Sequence, residues 1–545
     1  MISISINNAT LILGARALFQ NLTWEIQDDS KIGLIGPNGA GKSSLLKLIT
    51  GEYQAEAGGG IAKARGVSLG YLPQTPDFPA EQSAYLLALA GNPRVAEIET
   101  ELERIEAKLG DPAVYNRATA LQRTLETQQA LLEEYETLGG AGYPGRVREL
   151  LRGLGLPETD FDKPIGVLSG GQKKLVGLAR LLLLKPSVLL LDEPDNHLDM
   201  AAKRYLERLI LGYPGAVVLI SHDRALLDTV VTDIAEIEDG RLSTFPGSYT
   251  EYIIDKERRL ARQEQLFQIQ QQEIGRLKMA VRRYTQWAEF SDKFASRIHA
   301  MEARIGRIKE IEQPVLERRR MGLALNGWRG SNQVLELLGV SKSFPPRRVL
   351  ETTNLLIRHG ERVGLIGPNG TGKSVLLRLI LGLDQPDAGE VRLGPSVTVG
   401  YYAQEHDTLD FNQTLIETVR QAGNLSEASA VALLIRYLFT YQQATQRIAA
   451  LSGGERSRLQ LALLVLSGAN FLLLDEPTNN LDIAAAEVLE NALEDFNGSV
   501  LVISHDRYFL DRTVSRILEL KDGQLKEYAG NYSDYAERQA RTAHP

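Results

Sequence analysis

The sequence contains no cysteine and only three tryptophans among its 545 residues. The lack of cysteine excludes disulfide scaffolds, thiolate zinc sites and cysteine nucleophiles, and it is compatible with a reducing cytosol. Long apolar runs are also missing, because the richest stretch, LARLLLLKPSVLLLDEP, is interrupted by Lys185 and Pro186. The N-terminal segment lacks the charged region and apolar core of a signal peptide. We therefore expect a soluble, cytoplasmic protein.

The charge balance is slightly acidic. The chain has 61 lysine or arginine residues against 69 aspartate or glutamate residues, a formal net charge of −8. This argues against a uniformly basic nucleic-acid binder but leaves room for a local basic patch. The content of 43% hydrophobic and 24% charged residues is ordinary for a globular protein. The length is roughly three to four times that of a typical domain and indicates at least two domains.

The chain repeats itself. KIGLIGPNGAGKSSLLKLITG at 31–51 returns as RVGLIGPNGTGKSVLLRLILG at 362–382. Three further motifs, LSGG, LLLDEP and SHDR, follow each of these segments in the same order, and LSGG lies 23 residues before the Asp-Glu pair in both cases, counting from serine to aspartate. Chance does not produce four ordered motifs twice at matching separations. The sequence predicts two copies of one domain, a first copy at 1–245 and a second copy at 331–545.

Apolar periodicity predicts the fold class of each copy. Short apolar runs such as KIGLIG, SVLLLD and AVVLIS have the pattern of buried parallel strands, and an amphipathic helical segment follows each of them. Alternating strands and helices indicate an α/β domain with a largely parallel central sheet.

The first copy carries an insertion between its glycine-rich motif and LSGG. Lys42 and Ser169 are 127 residues apart, whereas Lys373 and Ser452 are 79 apart. Apolar residues of the insertion recur at spacings of three and four on both sides of a Gly-Asp-Pro break. This pattern predicts an antiparallel helical hairpin, here called the arm, at about residues 92–140.

A second helical element, the linker, is predicted at 246–330. Its apolar pattern indicates two helices of about 25 residues each, roughly 40 Å long. Residues 256–320 contain 16 basic and nine acidic side chains. A charged helix is often only a solvated face. The basic residues near the predicted tip have aromatic neighbours, however, which favours a finger that contacts phosphates. These residues are Arg282, Arg283, Lys293 and Arg297, beside Tyr284 and Trp287.

Both copies contain the pattern G-x4-G-K-[ST] between a strand and a helix. Glycines allow successive backbone N–H groups to surround a phosphate, and the helix N-terminus favours the negative charge. The lysine reaches the β- and γ-phosphates, and the serine hydroxyl can bind Mg²⁺. The predicted ATP-binding residues of these P-loops are Gly36, Pro37, Asn38, Gly39, Ala40, Gly41, Lys42, Ser43 and Ser44, and Gly367, Pro368, Asn369, Gly370, Thr371, Gly372, Lys373, Ser374 and Val375.

Acidic residues end a buried strand in each copy. We expect the aspartate to bind Mg²⁺ together with the P-loop serine, and the adjacent glutamate to act as general base toward the attacking water. A glutamine after another strand is a further candidate metal ligand, and the SHDR histidine is a candidate contact of the γ-phosphate. The metal ligands are thus Ser43, Gln74, Asp192, Ser374, Gln404 and Asp475, and the catalytic residues are Glu193, Glu476, His222 and His505.

The LSGG segments resemble the signature motif of ATP-binding cassette (ABC) ATPases. They comprise Ser169, Gly170 and Gly171, and Ser452, Gly453 and Gly454. The resemblance implies two nucleotide-binding domains that meet head to tail, with the P-loop of one facing the signature of the other. Lys42 would then share a site with Ser452, and Lys373 with Ser169. Residues 196–199 and 479–482, here called the crossing loops, would cross the interface.

The whole chain resembles the ABC-F class of this family. The similarity lies in two fused copies, the arm, the charged linker, and the related segments GSYTEYIIDKERR (247–259) and AGNYSDYAERQA (529–540). It implies a P-loop ATPase that needs ATP and Mg²⁺ and binds the ribosome near the exit site. The linker and arm would face rRNA and tRNA, and a monomer would pair its own two copies. Such proteins serve as translation factors or protect ribosomes from antibiotics; the lack of a long extra loop favours the former.

Two other functions remain open. One is the detached ATPase subunit of a membrane transporter, although the fused copies and the linker argue against it. The other is an ABC ATPase acting on DNA, which would need a much longer coiled coil than the arm.

The two copies also differ at residues that the resemblance makes functional. Phe344 matches the family's adenine-stacking aromatic, whereas the equivalent residue in the first copy is Leu13. Asp195 stands where the second copy has Thr478. We expect weaker ATP binding in the first copy.

Overall fold

The computed structural model describes all residues except 15, 57–58, 111–116, 289–292, 308–321, 326–327, 329, 346, 404–408 and 544–545. The chain forms two compact units, one made of Met1–Pro246 with Met321–Pro545 and the other of Gly247–Arg320. The first unit holds both copies, and the second holds the helices of the linker.

The first copy is built on a six-stranded sheet with the order β5-β6-β7-β3-β8-β9, parallel except for the β8–β9 pair. A three-stranded antiparallel sheet, β2-β1-β4, accompanies it. The strands are β1 Ile2–Leu13, β2 Arg16–Gln27, β3 Lys31–Ile35, β4 Gly60–Lys63, β5 Leu69–Leu72, β6 Val188–Asp192, β7 Ala216–Ile220, β8 Asp233–Glu238 and β9 Arg241–Pro246. The helices are α1 Lys42–Thr50, α2 Ala84–Leu89, α3 Pro93–Leu109, α4 Ala118–Thr137, α5 Tyr143–Gly153, α6 Gly170–Leu184, α7 Met200–Leu211 and α8 Arg224–Val230.

The linker contributes helices α9 Tyr249–Ala288 and α10 Lys293–Arg307. The predicted length of about 25 residues is wrong for α9, which has 40 residues, while the described part of α10 has 15. Arg304 of α10 pairs with Glu273 of α9 at 2.7 Å, as expected for antiparallel helices. Residues 289–292, which include Glu289 and Asp292 and come between the two helices in the sequence, lie outside the described residues.

The second copy repeats the first. Its six-stranded sheet has the order β14-β15-β16-β12-β17-β18, and its antiparallel sheet has the order β11-β10-β13. The strands are β10 Gln333–Phe344, β11 Arg347–Arg358, β12 Arg362–Ile366, β13 Ala388–Leu393, β14 Val399–Tyr402, β15 Phe471–Asp475, β16 Ser499–Ile503, β17 Arg516–Lys521 and β18 Gln524–Ala529. The helices are α11 Lys373–Ile380, α12 Leu415–Gly423, α13 Glu427–Arg436, α14 Tyr441–Ala444, α15 Gly453–Leu466, α16 Ile483–Glu494, α17 Arg507–Thr513 and α18 Tyr532–Ala543. Single 3-10 turns span Gly140–Gly142, Glu158–Asp160, Ile165–Val167 and Ile448–Ala450.

The parallel strands place the predicted motifs side by side. Every residue of β6 and β7 is buried, which explains why these strands are almost entirely apolar. β3 leads into the P-loop, β6 ends at Asp192, and β7 ends just before the SHDR segment. Because β6, β7 and β3 are neighbours and parallel, their carboxyl ends meet at one edge of the sheet. The predicted α/β fold is confirmed.

The arm is the predicted antiparallel hairpin of α3 and α4. Ile98, Ile105 and Leu131 form a small buried cluster between the two helices. Arg94 at the start of α3 holds Glu134 near the end of α4 through two hydrogen bonds of 2.7 and 2.8 Å.

No helix in the described parts of the chain combines the length and apolarity that a membrane crossing requires.

Candidate ATP sites

The two P-loops share one conformation. Lys42 Nζ donates to the carbonyl oxygens of Gly36 and Pro37 at 2.7 and 3.1 Å, and Lys373 does the same to the equivalent pair at 2.7 and 3.0 Å. Gly36 has φ 147°, and a Cβ there would lie 2.3 Å from the carbonyl oxygen of Ile237. Only glycine therefore fits at this bend. Burial lowers the pKa of both lysines because desolvation disfavours the charged ammonium group, and a phosphate bound beside it would favour the charged form again.

The first site assembles its acidic residues at the end of β6. Burial raises the pKa of Asp192, and a hydrogen bond from the Ser43 side chain opposes the rise. Glu193 Oε2 accepts hydrogen bonds from Gln74 Nε2 at 2.9 Å and from Asn196 Nδ2 at 2.7 Å. His222 Nε2 lies 3.8 Å from Glu193 Oε1. The structure thus brings the predicted metal ligands, base and histidine of the first copy together.

The second site is similar but holds its glutamate differently. Glu476 Oε2 accepts a hydrogen bond from the backbone N–H of His505 at 3.2 Å, and His505 Nε2 lies 3.5 Å from Oε1. Burial raises the pKa of Glu476 to about 7, close to the value suited to a general base at neutral pH. The Ser374 side chain bonds Asp475, as Ser43 does to Asp192 in the first copy. Gln404 lies outside the described residues.

Several buried polar atoms at these sites have no hydrogen-bond partner among the described residues. They are Oδ1 of Asp192 and Asp475, Oε1 of Glu476, and Nε2 of His222 and His505. Buried polar atoms are normally satisfied, so such a cluster needs an explanation. Aspartate and serine oxygens are suitable ligands for Mg²⁺, and an imidazole N–H can donate a hydrogen bond to a phosphate oxygen. These residues therefore fit Mg²⁺ with ATP.

A cavity adjoins each P-loop. The cavity at the second site has a volume of about 400 Å³ and is lined by Lys373, Ser374, Asp475 and Glu476, together with residues 195–198 of the first copy. The cavity at the first P-loop measures about 500 Å³ and includes residues 37–40. The cavity at the second site is thus lined by residues of both copies.

Hydrogen bonds join the P-loop of each copy to the crossing loop of the other. The backbone N–H of Asn38 donates to Asp482 Oδ2 at 3.1 Å, and that of Asn369 donates to Asp199 Oδ2 at 3.1 Å. The side-chain amides repeat the exchange: Asn38 Nδ2 donates to the Asn480 carbonyl at 3.3 Å, and Asn369 Nδ2 to the His197 carbonyl at 2.9 Å. The two copies therefore meet head to tail.

The LSGG serines cap the helices that follow them. Ser169 and Ser452 each accept a hydrogen bond from a backbone N–H of the first turn, and Gln172 or Glu455 bonds back to the serine N–H. This capping box fixes the start of α6 and α15. A Cβ placed on Gly454 would lie 2.9 Å from Asn38 Nδ2, so the second signature adjoins the first P-loop. The positive end of α15 is thus directed to the first copy's P-loop.

Phe344 and Leu13 occupy matching places, as the last residues of β10 and β1. Phe344 is 47% exposed, and Lys342 Nζ lies 5.4 Å from its ring centre. The cavities are instead lined by Leu18 and Val349, a matching pair from β2 and β11 that sequence reasoning missed. Their recurrence 331 residues apart was the available signal. They abut Gly41 and Gly372, where an added Cβ would lie 3.4 Å from Leu18 and 1.9 Å from Val349.

Comparison with known proteins gives one consistent family. A family model described as ABC transporter matches residues 19–196 and 350–479, and an extension model with the same description matches 235–323. The chain is 36% identical over 541 residues to the energy-dependent translational throttle protein EttA of Haemophilus influenzae, covering 97% of this chain and 93% of that one. It is 32% identical over 529 residues to ABC transporter F family member 5 of Arabidopsis thaliana, covering 96% and 75% of the two chains.

A solved structure supports the fold over the same extent. The chain resembles the archaeal ribosome recycling factor aABCE1, solved in complex with the ribosomal stalk protein aP1, with a TM-score of 0.62 and 19% identity. The match covers 98% of this chain and 92% of that one.

Proposed function

Because the chain belongs to the ABC-F family of ATP-binding cassette ATPases and is an ATP hydrolase, we propose that it binds the ribosome near the exit site and that its ATP cycle controls binding and release. The relative named as a translational throttle supports this proposal, since the similarity spans nearly both full chains. The observation that carries the ATP-dependent part of the proposal is the reciprocal bonding of P-loops and crossing loops, because a nucleotide bound at either P-loop would lie beside a contact between the two copies.

The ATP sites are proposed to act as composites of both copies. Ser43, Gln74 and Asp192 would hold Mg²⁺ at the first site, and Ser374, Gln404 and Asp475 would hold it at the second. Bound Mg²⁺ would neutralise the negative charge that develops on the phosphate. Glu193 and Glu476 take the proton of the attacking water, while His222 and His505 donate to a γ-phosphate oxygen. The signature serines, Ser169 and Ser452, complete the site of the opposite copy.

The linker is the proposed contact with ribosomal RNA or tRNA. It carries 16 basic and nine acidic residues between 256 and 320, although the whole chain is acidic. Arg282 and Arg283 lie at the end of α9, and α10 begins at Lys293. Basic residues near the end of one helix and the start of the next suit contact with a phosphate backbone. The arm is a second proposed contact, and the proposal places the protein in the cytoplasm as a monomer.

The test uses Glu193→Gln with Glu476→Gln. We expect hydrolysis to fall by roughly 10² to 10⁴-fold while ATP binding persists, because glutamine keeps the volume but cannot accept the proton. The copies should then stay paired, so that the protein remains in the ribosomal fractions of a sucrose gradient and inhibits a cell-free translation reaction.

Two exposed glutamates provide the matched control. Glu427→Gln with Glu537→Gln makes the same chemical change away from the ATP sites, and translation should be unaffected. If the catalytic double variant lost ATPase activity, retained ATP binding and still permitted full translation, the ribosome would not be the target. The transporter function would then become the better explanation.

A further inference from the structure

Lys203 is a buried lysine of the first copy that contacts the second. It is the fourth residue of α7, and its side chain is 9% exposed. Its ammonium group donates to Asp223 Oδ2 at 2.7 Å and to the carbonyl oxygen of His505 at 3.0 Å. One cation therefore joins a carboxylate of the first copy to the backbone of a residue at the second ATP site.

His505, which accepts the hydrogen bond from Lys203, also contacts Glu476. The backbone N–H of His505 donates to Glu476 Oε2 at 3.2 Å, and its ring nitrogen Nε2 lies 3.5 Å from Oε1. Lys203 also lines the cavity of the second site beside Lys373. The chain of contacts thus runs from Asp223 through Lys203 and His505 to Glu476.

The first site has no equivalent lysine. The fourth residue of α16, which matches α7 in the second copy, is Ala486, and alanine has no side-chain donor. Asp195 differs in the same way, since its counterpart is Thr478. Asp195 is buried, and although burial lowers the pKa of Lys203, the charges of Asp223 and Asp195 together raise it above its usual value. The lysine and its second carboxylate are therefore an addition to one copy only.

If Lys203 had a purely structural role, its interactions with Asp195 and Asp223 would be sufficient. Lys203 would then only neutralise Asp195 and Asp223, and any residues that removed the charges together would serve equally well. The hydrogen bond to His505 is not needed for that purpose. It crosses to the other copy and reaches the residue that fixes Glu476.

We infer that Lys203 is a positioning residue of the second ATP site, supplied by the first copy and without a counterpart at the first site. The inference rests on the proposed catalytic roles of Glu193 and Glu476. Its consequence is that the two sites are unequal: the second acquires its full geometry only when the copies are paired and Lys203 reaches His505.

The experiment measures each site separately. In a Glu193→Gln background only the second site turns over, and in a Glu476→Gln background only the first. Lys203→Met should lower kcat of the second site roughly 10-fold, as expected for the loss of one hydrogen bond from a charged group. KM should stay unchanged because the P-loop contacts are intact. Both constants of the first site should also stay unchanged.

A second variant separates positioning from charge neutralisation. Asp195→Thr with Lys203→Ala installs the residues that the second copy itself carries, so the lysine is removed together with one carboxylate and the net charge is unchanged. Asp223 retains its cap of α8, through the Leu226 N–H at 3.1 Å. If Lys203 positions His505, the second site stays slow in this double variant although thermal unfolding returns to the wild-type temperature. Recovery of the wild-type rate would overturn the inference.

Lys31→Met is the matched control. Lys31 Nζ donates to the carbonyl oxygens of Tyr213 and Gly215 at 2.8 and 2.6 Å, entirely within the first copy. This variant also removes a lysine ammonium that binds two oxygens, but it should spare the second site. An equal fall at both sites with Lys203→Met would overturn the inference. If neither Glu193→Gln nor Glu476→Gln lowered ATP turnover, the proposed catalytic roles would be wrong. The inference, which rests on them, would then fail as well.

Discussion

Glu193 and Glu476 adopt the same unusual backbone conformation, with φ of 51° and 49°. A non-glycine residue in the left-handed region costs on the order of 1 kcal/mol and persists only where its surroundings hold it. Each glutamate follows the last residue of a buried strand, and its backbone N–H donates at 2.9 Å to the adjacent strand, to Ile220 or Ile503. The strand edge thus turns each carboxylate toward its P-loop in both copies.

Substitution of a single aromatic residue should reduce the difference between the sites. Phe344→Leu makes the second copy resemble the first at this position, where Leu13 stands. Stacking contributes about 0.5–1.5 kcal/mol beyond area burial, so we expect ATP affinity at the second site to weaken by roughly 2- to 13-fold. Nucleotide titration of the Lys42→Ala background, which leaves the second site intact, measures this. Unchanged affinity would show that Phe344 does not contact adenine, and Leu13→Ala is the matched control.

At the residue scale, the sequence predicted the functional residues that lie in motifs. It did not predict a residue whose role arises only where the two copies contact each other. The P-loop lysines, the acidic pairs and the histidines were identifiable because each stands in a repeated pattern at the end of a strand. Lys203 was not, because a lysine on an amphipathic helix has the same pattern whether it faces solvent or another domain. An alignment of the two copies would have identified Lys203 as a difference, since Ala486 is the matching residue in the second copy.

At the scale of elements, the two helical hairpins show how far periodicity extends. The arm was predicted because apolar residues mark its contact surface, which comprises Ile98 and Ile105 on α3 and Leu131 on α4. The linker was not, because α9 continues for 40 residues. An apolar stripe reveals where two helices touch, but a polar helix can continue past its last apolar contact without leaving such a stripe.

The basic end of the linker should determine the salt dependence of ribosome binding. Replacing Arg282, Arg283, Lys293 and Arg297 with alanine is expected to weaken binding. For every phosphate that the variant no longer neutralises, the slope of log K against log salt should also flatten by about 0.7 to 0.9. Filter binding or sedimentation at several salt concentrations gives this slope.

The control for this experiment keeps the net charge change the same. Arg348, Arg358, Arg378 and Arg392 are four arginines of the second copy outside the linker, and their replacement with alanine removes the same charge. If both quadruple variants altered the slope equally, the effect would be general electrostatics, and the linker would be a solvated face.

On the scale of the whole molecule, two reciprocal ion pairs join the copies beside the ATP sites. Arg224 pairs with Glu490, and the equivalent Arg507 pairs with Glu207 at 2.8 Å. Glu490 is fully buried and also pairs with Arg512 at 3.1 Å. Because these pairs lie on the shared interface, we expect their loss to affect both sites, in contrast to the loss of Lys203.

Glu490→Gln should therefore weaken pairing of the copies and slow hydrolysis at both sites. Removing one partner of a buried ion pair typically costs about 3 kcal/mol or more, because the other charge stays buried. Energy transfer between dyes on two introduced cysteines would report ATP-dependent pairing, and the chain has no cysteine of its own to interfere. Glu494→Gln is the control on the same helix, since Glu494 pairs with Arg512 within the second copy. Equal effects of the two variants would contradict this role.

Fusion of the two copies in one polypeptide makes their pairing a unimolecular event. The partner of each P-loop is always present at an effective concentration fixed by the connecting chain, not by the number of molecules in the cell. Under the proposed ATP cycle, dilution or low expression should therefore leave the paired fraction unchanged at a given ATP concentration. A scarce protein of this design responds to ATP as fully as an abundant one.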